Sequence, residues 1–311
     1  MNLDQRADEE TSNLSQGSDV AIGPAAGYLL GAVLLLGVGW PISRFAVAQG
    51  ASSIWLAWGR TSLSCVLTTI VLSHFRLLGM PKRSDLPAIA ALGCLQIAAY
   101  FLLSYTALAW MPAGRTAILS NATTIWIAPL SIVVLKEPVS RWRWVGVAFG
   151  LLGVLIMAAP WGVQRSSQPV IVGTLYLLSA ALVWALAIVL LRRSPPISSV
   201  IRLLPWSFGI ASAIMLPFAL SADMGIWTEG AVISLFILGG VVGPFSVYCA
   251  IQAQSRLPAL VSGMGMLCCP VVGIAVASLW LGEKLSYDIL FGAMFIIIGS
   301  AIGFIRAQAS P

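Results

Sequence analysis

Three sets of side chains carry the chemistry this sequence can offer, and all of them lie inside apolar stretches. Gln96, Tyr100 and Ser104 recur at every fourth residue and so share one helical face. Asn121 and Thr124 form a shorter polar edge, and Tyr248 and Gln252 form another. Trp40, Trp126 and Trp184 sit in the middle of their stretches, away from the ends where the other nine tryptophans would make an interfacial belt. Amide, hydroxyl and indole groups of this kind can hold a small organic solute by hydrogen bonds and ring contact. A polar stripe turned to lipid would go unpaired, so these stripes should face protein or a water-filled cavity. Two readings stay open for each stripe: lining of a solute cavity, or interhelical hydrogen bonds of about 0.6–2 kcal/mol apiece that hold a bundle together. For the three tryptophans the plain alternative is packing or lipid contact.

Charged groups offer little else. All eleven carboxylates fall in the first 25 residues, in loops or at the ends of apolar spans, and the single His74 is at a loop edge. With no Ser/His/Asp set, His/Glu cluster or paired carboxylate at depth, no catalytic residues are expected, and no proton relay through a buried carboxylate. Cys65, Cys94, Cys249, Cys268 and Cys269 have no metal-type spacing. They read as small apolar filler, with no metal and no cofactor expected. Arg44, Arg60 and Arg202 lie within spans but near their ends, where snorkelling to the interface accounts for all three. Contact between Arg44 and a solute carboxylate is the sharper alternative. No cation is expected at mid-depth to hold a phosphate. The chemistry suits a neutral or zwitterionic solute with an apolar part.

The elements that must position these groups are membrane helices. Of 311 residues, 59% are hydrophobic and 9% charged, with mean hydropathy +0.94. Soluble chains carry about a quarter charged residues. The net charge of +6 therefore reads as loop charge that sets topology, not as a nucleic-acid surface. Ten segments have the roughly 20 apolar residues a membrane helix needs: 27–47, 53–73, 87–108, 114–135, 142–160, 173–191, 199–220, 230–252, 259–281 and 286–305. Residues 1–25, acidic and Ser-rich, read as a disordered cytoplasmic tail without the basic start of a signal peptide.

The ten spans fall into two copies, 26–160 and 173–306, joined by a linker at 161–172. Pro112-Ala113, Leu135, Glu137, Ser140, Gly146, Phe149 and Gly153 recur as Pro258-Ala259, Leu281, Glu283, Ser286, Gly292, Phe295 and Gly299. Every pair is offset by 146 (258 − 112, 299 − 153). Five spans per copy is an odd number, so the second copy enters the membrane upside down. With both termini inside, eleven Lys and Arg lie on the inner side, three on the outer side and three within spans, which is the positive-inside arrangement. Glu137 and Glu283 close equivalent helices, where they are expected to hold the hairpin turn by pairing with nearby basic residues. Gly146, Gly150 and Gly153, like Gly299 and Gly303, have the small-residue spacing of close helix packing.

This pattern resembles the EamA-type branch of the ten-helix drug/metabolite transporter superfamily over residues 26 to 306. The residues that carry the resemblance are Gly39-Trp40-Pro41-Ile42-Ser43-Arg44-Phe45, Arg60, Pro112-Ala113-Gly114 and Leu135-Lys136-Glu137 in the first copy. Gly146 and Gly153 complete that copy; Pro258-Ala259, Leu281-Gly282-Glu283, Gly292 and Gly299 belong to the second. The resemblance implies an all-α integral membrane protein of two inverted five-helix repeats. It also implies a small-molecule carrier in a bacterial inner membrane, often an exporter of amino acids or related metabolites, working by alternating access. Monomer and homodimer are both compatible with it. The alternative is a lipid-handling or non-transporting membrane partner.

Overall fold

The computed structural model describes residues 3–136, 141–158, 168–257 and 259–308. Ten helical runs follow one another, labelled α1 to α10 here. They are α1 (Leu3–Ala48), α2 (Ser53–His74), α3 (Leu86–Ala90 continuing through Ala91–Ala99 to Tyr100–Leu108), and α4 (Ala113–Leu119, then Thr123–Leu130 and Ser131–Leu135). Then come α5 (Arg141–Ala158), α6 (Gln168–Arg193), α7 (Val200–Ser221), and α8 (Glu229–Phe236 through Ile237–Val242 to Gly243–Arg256). The last are α9 (Ala259–Met266, then Cys269–Leu281) and α10 (Tyr287–Gln308). Six runs, α1 from Pro24, α2, α3, α6, α7 and α8, are long and apolar enough to cross a membrane, and shorter apolar helices lie in α4, α5, α9 and α10.

The backbone of α1 is helical from Leu3. Two expectations change. Helix α6 begins at Gln168, ahead of the expected 173. Spans α4 and α9, expected to be continuous, are each broken near the middle. In α4 the Asn121 side-chain amide donates to the Ala117 carbonyl (2.7 Å), taking the acceptor that the Asn121 backbone N–H would otherwise use. That N–H donates to Ile118 instead (3.0 Å) and the helix tightens and stops. In α9 the break precedes Pro270, which has no N–H to give the carbonyl four residues back.

The two copies share the 146-residue offset: after their breaks α4 and α9 resume at Thr123 and Cys269 (269 − 123). The wide π-helical turns inside α3 and α8 start at Ala91 and Ile237, the same offset (237 − 91). Packing repeats in the same sense: α1 lies on α8 and α9, as α6 lies on α3 and α4. Helices α2 and α7 pair with each other, as do α5 and α10. Between α5 and α10 the backbones touch at glycine: a Cβ on Gly153 would stand 2.6 Å from the Gly292 carbonyl oxygen. The fold is thus ten membrane helices in two inverted repeats.

Candidate functional site

At the interface of the repeats, α1, α2, α3, α4 and α6 bring a group of aromatic rings around one buried charge. Trp40 of α1 meets Tyr100 edge-on (centroids 6.4 Å apart) and Tyr105 at 6.0 Å. Trp184 of α6 lies 4.5 Å from Tyr100, and Phe101 closes the group at 5.4 Å from Tyr100 and 5.9 Å from Tyr105. Trp40, Tyr100 and Trp184, expected at a solute site from their mid-span positions, therefore come together.

Arg60 sits against this group and is 9% exposed. It does not snorkel. Its guanidinium carbon stands 4.5 Å above the Phe101 ring and 5.8 Å from that of Tyr105. Its backbone is held close by α8: a Cβ on Gly239 would fall 2.8 Å from the Arg60 carbonyl oxygen. The hydrogen bonds around it have a fixed direction. Ser43 Oγ donates to the Gly39 carbonyl (2.7 Å), so in its 2.7 Å contact with Tyr105 Oη the tyrosine donates. Tyr105 Oη is then free to accept from Arg60 Nη1 (2.7 Å). Tyr105 is fully buried and Ser43 likewise, so this relay holds the guanidinium in one orientation. Among the described residues Arg60 has no carboxylate partner; the ion pair that is present joins Arg115 and Asp288.

Arg44 turns elsewhere, donating to the Leu108 and Ala109 carbonyls (3.0 and 3.4 Å) at the C-terminal end of α3. A cation there meets the negative end of the helix. The polar stripe on α3 is buried or half-buried, and Gln96 Oε1 and Ser104 Oγ are sealed without a hydrogen bond. Trp126 Nε1 is sealed in the same way, although the ring makes no contact with the aromatic group. Asn121 lies in the break of α4 and is exposed, occupied with Ala117. Its neighbour Ser120, buried, is the α4 residue beside Tyr100. Tyr248 and Gln252 bond to one another (3.0 Å) at the far end of α8, where Tyr248 meets Tyr28 and Arg256 covers the Tyr28 ring. They stand apart from the aromatic group.

Glu283 is occupied by backbone, not by a basic side chain. Its two carboxylate oxygens accept from the Ala113 and Gly114 amides (2.7 and 2.9 Å), capping the first turn of α4 across the repeat interface beside Pro112. The Arg115–Asp288 pair lies next to this cap. Glu137 and Pro258, the counterparts in the other copy, lie outside the described residues. Cys268, expected as buried filler, is exposed in the break of α9.

A model of the EamA-like transporter family matches residues 23–159 and 171–305, one match for each five-helix repeat. The chain belongs to the EamA-like transporter family. It is an integral membrane protein and, by family, a transporter. An uncharacterized transporter of Clostridium kluyveri is 25% identical over 71% of this chain and 73% of its own length. The uncharacterized transporter YvbV of Bacillus subtilis is 25% identical over 89% of this chain and 90% of its own. A probable amino-acid metabolite efflux pump of Salmonella typhimurium is 27% identical over 61% and 66%. A solved crystal structure shares the fold at a TM-score of 0.64 and 15% identity, covering 92% of this chain and 97% of the other.

The residues missed in the sequence are Phe101, Tyr105 and Ser120, together with the inward turn of Arg60; Ser43 entered only through the family resemblance. Tyr105 follows Tyr100 by five positions, so a strict four-residue stripe passes over it. The breaks in α4 and α9 are the other feature of the site, since unwound helices at membrane depth are tolerated where they are buried in protein or line a cavity.

Proposed function

We propose that this transporter is a secondary carrier that moves small neutral or zwitterionic organic metabolites, amino acids or related compounds, outward across a bacterial inner membrane by alternating access. The observation that carries the reading is the aromatic group of Trp40, Tyr100 and Trp184 set against the relay-held Arg60 where the repeats meet. Rings supply surface for an apolar part, and buried hydroxyl and amide groups supply a few oriented polar contacts, as small-molecule sites do. Inverted repeats support alternating access because two similar halves facing opposite sides can exchange roles. The amino-acid class draws support from the name of the Salmonella typhimurium relative. The eleven-to-three bias of basic residues supports cytoplasmic termini.

The test is efflux from cells that overexpress the protein, screened across amino acids and related metabolites, with Tyr100→Ala and Trp184→Ala at matched membrane abundance. Faster efflux of one solute class, lost in both variants, is the expected result. Efflux equal to that of cells without the protein, for every solute, would remove the reading.

One observation favours a lipid-handling protein instead. The rings pack on one another, and a groove of ≈ 510 Å³ opens elsewhere, between α1, α8 and α9, with Phe45 and Trp280 among its apolar walls. Transfer of labelled lipid between leaflets, with no solute efflux, is the outcome that would select it.

A further inference from the structure

We infer that Arg60 is the anchor for the carboxylate of the carried solute, so that this transporter selects amino acids over the corresponding amides. The inference rests on the carrier reading above and names the group that sets its specificity.

An arginine within a membrane span is a functional site by default unless a partner satisfies it. Snorkelling is excluded because Arg60 is nine-tenths buried and bends toward α3. A structural ion pair is excluded because no carboxylate of the described residues reaches it. What does reach it is one neutral acceptor, Tyr105 Oη, which uses one of the five guanidinium N–H groups. The remaining donors meet no acceptor among the described residues. A guanidinium presents paired donors in a rigid fork that fits a carboxylate bidentately, and such bonds are about twice as strong as neutral ones.

The surroundings supply the rest of a solute site. Tyr105 is shared between the charge and the rings: it accepts from Arg60 on one side and stands 6.0 Å from Trp40 on the other. Tyr100 stands 5.4 Å from Phe101, the ring that Arg60 covers, and packs on Trp184. A carboxylate on Arg60 would lie beside Phe101 and Tyr105, whose rings continue into the group of Trp40, Tyr100 and Trp184. Arg44, the other arginine of this end of the bundle, is engaged by the carbonyls of α3 and cannot serve as the anchor without giving them up. Tyr105 acts as a positioning residue, since its hydroxyl fixes the guanidinium without touching the solute carboxylate.

The experiment uses the full chain purified in detergent and reconstituted into liposomes. Intrinsic tryptophan fluorescence follows binding of each of the twenty L-amino acids and the corresponding L-amino-acid amides; counterflow of the tightest-bound acid follows transport. Arg60→Gln and Arg60→Lys are compared with the wild type after each is shown to keep its unfolding midpoint in detergent. The expected result is at least tenfold weaker binding of the acid in Arg60→Gln, binding of its amide changed less than twofold, and partial recovery of acid binding in Arg60→Lys. Equal weakening of acid and amide, or acid binding unchanged in Arg60→Gln, would overturn the anchor while the carrier stands. A wild type that binds and exchanges none of the amino acids would overturn both the anchor and the amino-acid reading.

Discussion

Removing the Glu283 carboxylate tests whether one repeat caps the other. In Glu283→Ala the amides of Ala113 and Gly114, now bonded at 2.7 and 2.9 Å, lose their acceptor at the start of α4. Hydrogen bonds to a charged group contribute about 1.5–3 kcal/mol each, and a carboxylate at a helix N-terminus adds about 0.3–1 kcal/mol. Glu283 is half-buried and water can reach part of the vacated site, so a net loss of about 2–4 kcal/mol is expected. That corresponds to roughly a 30- to 900-fold shift in the unfolding equilibrium. Glu283→Gln keeps one carbonyl acceptor without the charge and should lose about half as much. The assay is reversible unfolding in mixed micelles as the fraction of denaturing detergent rises. Coincident curves for wild type and Glu283→Ala would refute the cap, because no other side chain accepts from both amides among the described residues.

Two further substitutions probe the bundle. Asn121→Leu removes the side-chain donor that takes the Ala117 carbonyl; the backbone amides at positions 121 and 122 should then exchange with deuterium more slowly, and unchanged exchange would show that the break has another cause. Gly153→Val places a side chain where a Cβ already falls 2.6 Å from the Gly292 carbonyl, so α5 and α10 must separate, at a cost of about 1–3 kcal/mol in the same unfolding assay. Full stability in that variant would mean that the two helices do not touch there.

The spans and their register were legible because they depend on what a linear sequence records directly: hydropathy, length and a fixed offset. Position along each span was legible too, and Trp40, Tyr100 and Trp184, selected by it, lie against one another. Direction around a helix was harder. Arg60 stands seven residues into α2, about 10 Å by helical rise, a position equally consistent with reaching the interface or turning inward. What decides it is Tyr105, forty-five residues away. The Glu283 cap spans 170 residues and bonds to backbone, which has no residue-type signal. The break of α4 depends on a single side-chain bond of Asn121, and a residue that stops its own helix reads in the sequence like one waiting for a solute.

The shared offset of the π turns and the breaks of α4 and α9 bears on how such a chain arises. Each packing pair has its mirror: α1 on α8 and α9, α6 on α3 and α4. One five-helix unit inserted in both orientations would make all these pairings with a second copy of itself, as an antiparallel dimer. The chain is that dimer with its ends joined. Joining them has a consequence for charge. A unit that must insert both ways cannot carry a bias at either end, whereas tethered halves each keep one orientation. Lys136, Arg141 and Arg143 beside α4, against Lys284 alone beside α9, are the divergence that tethering permits.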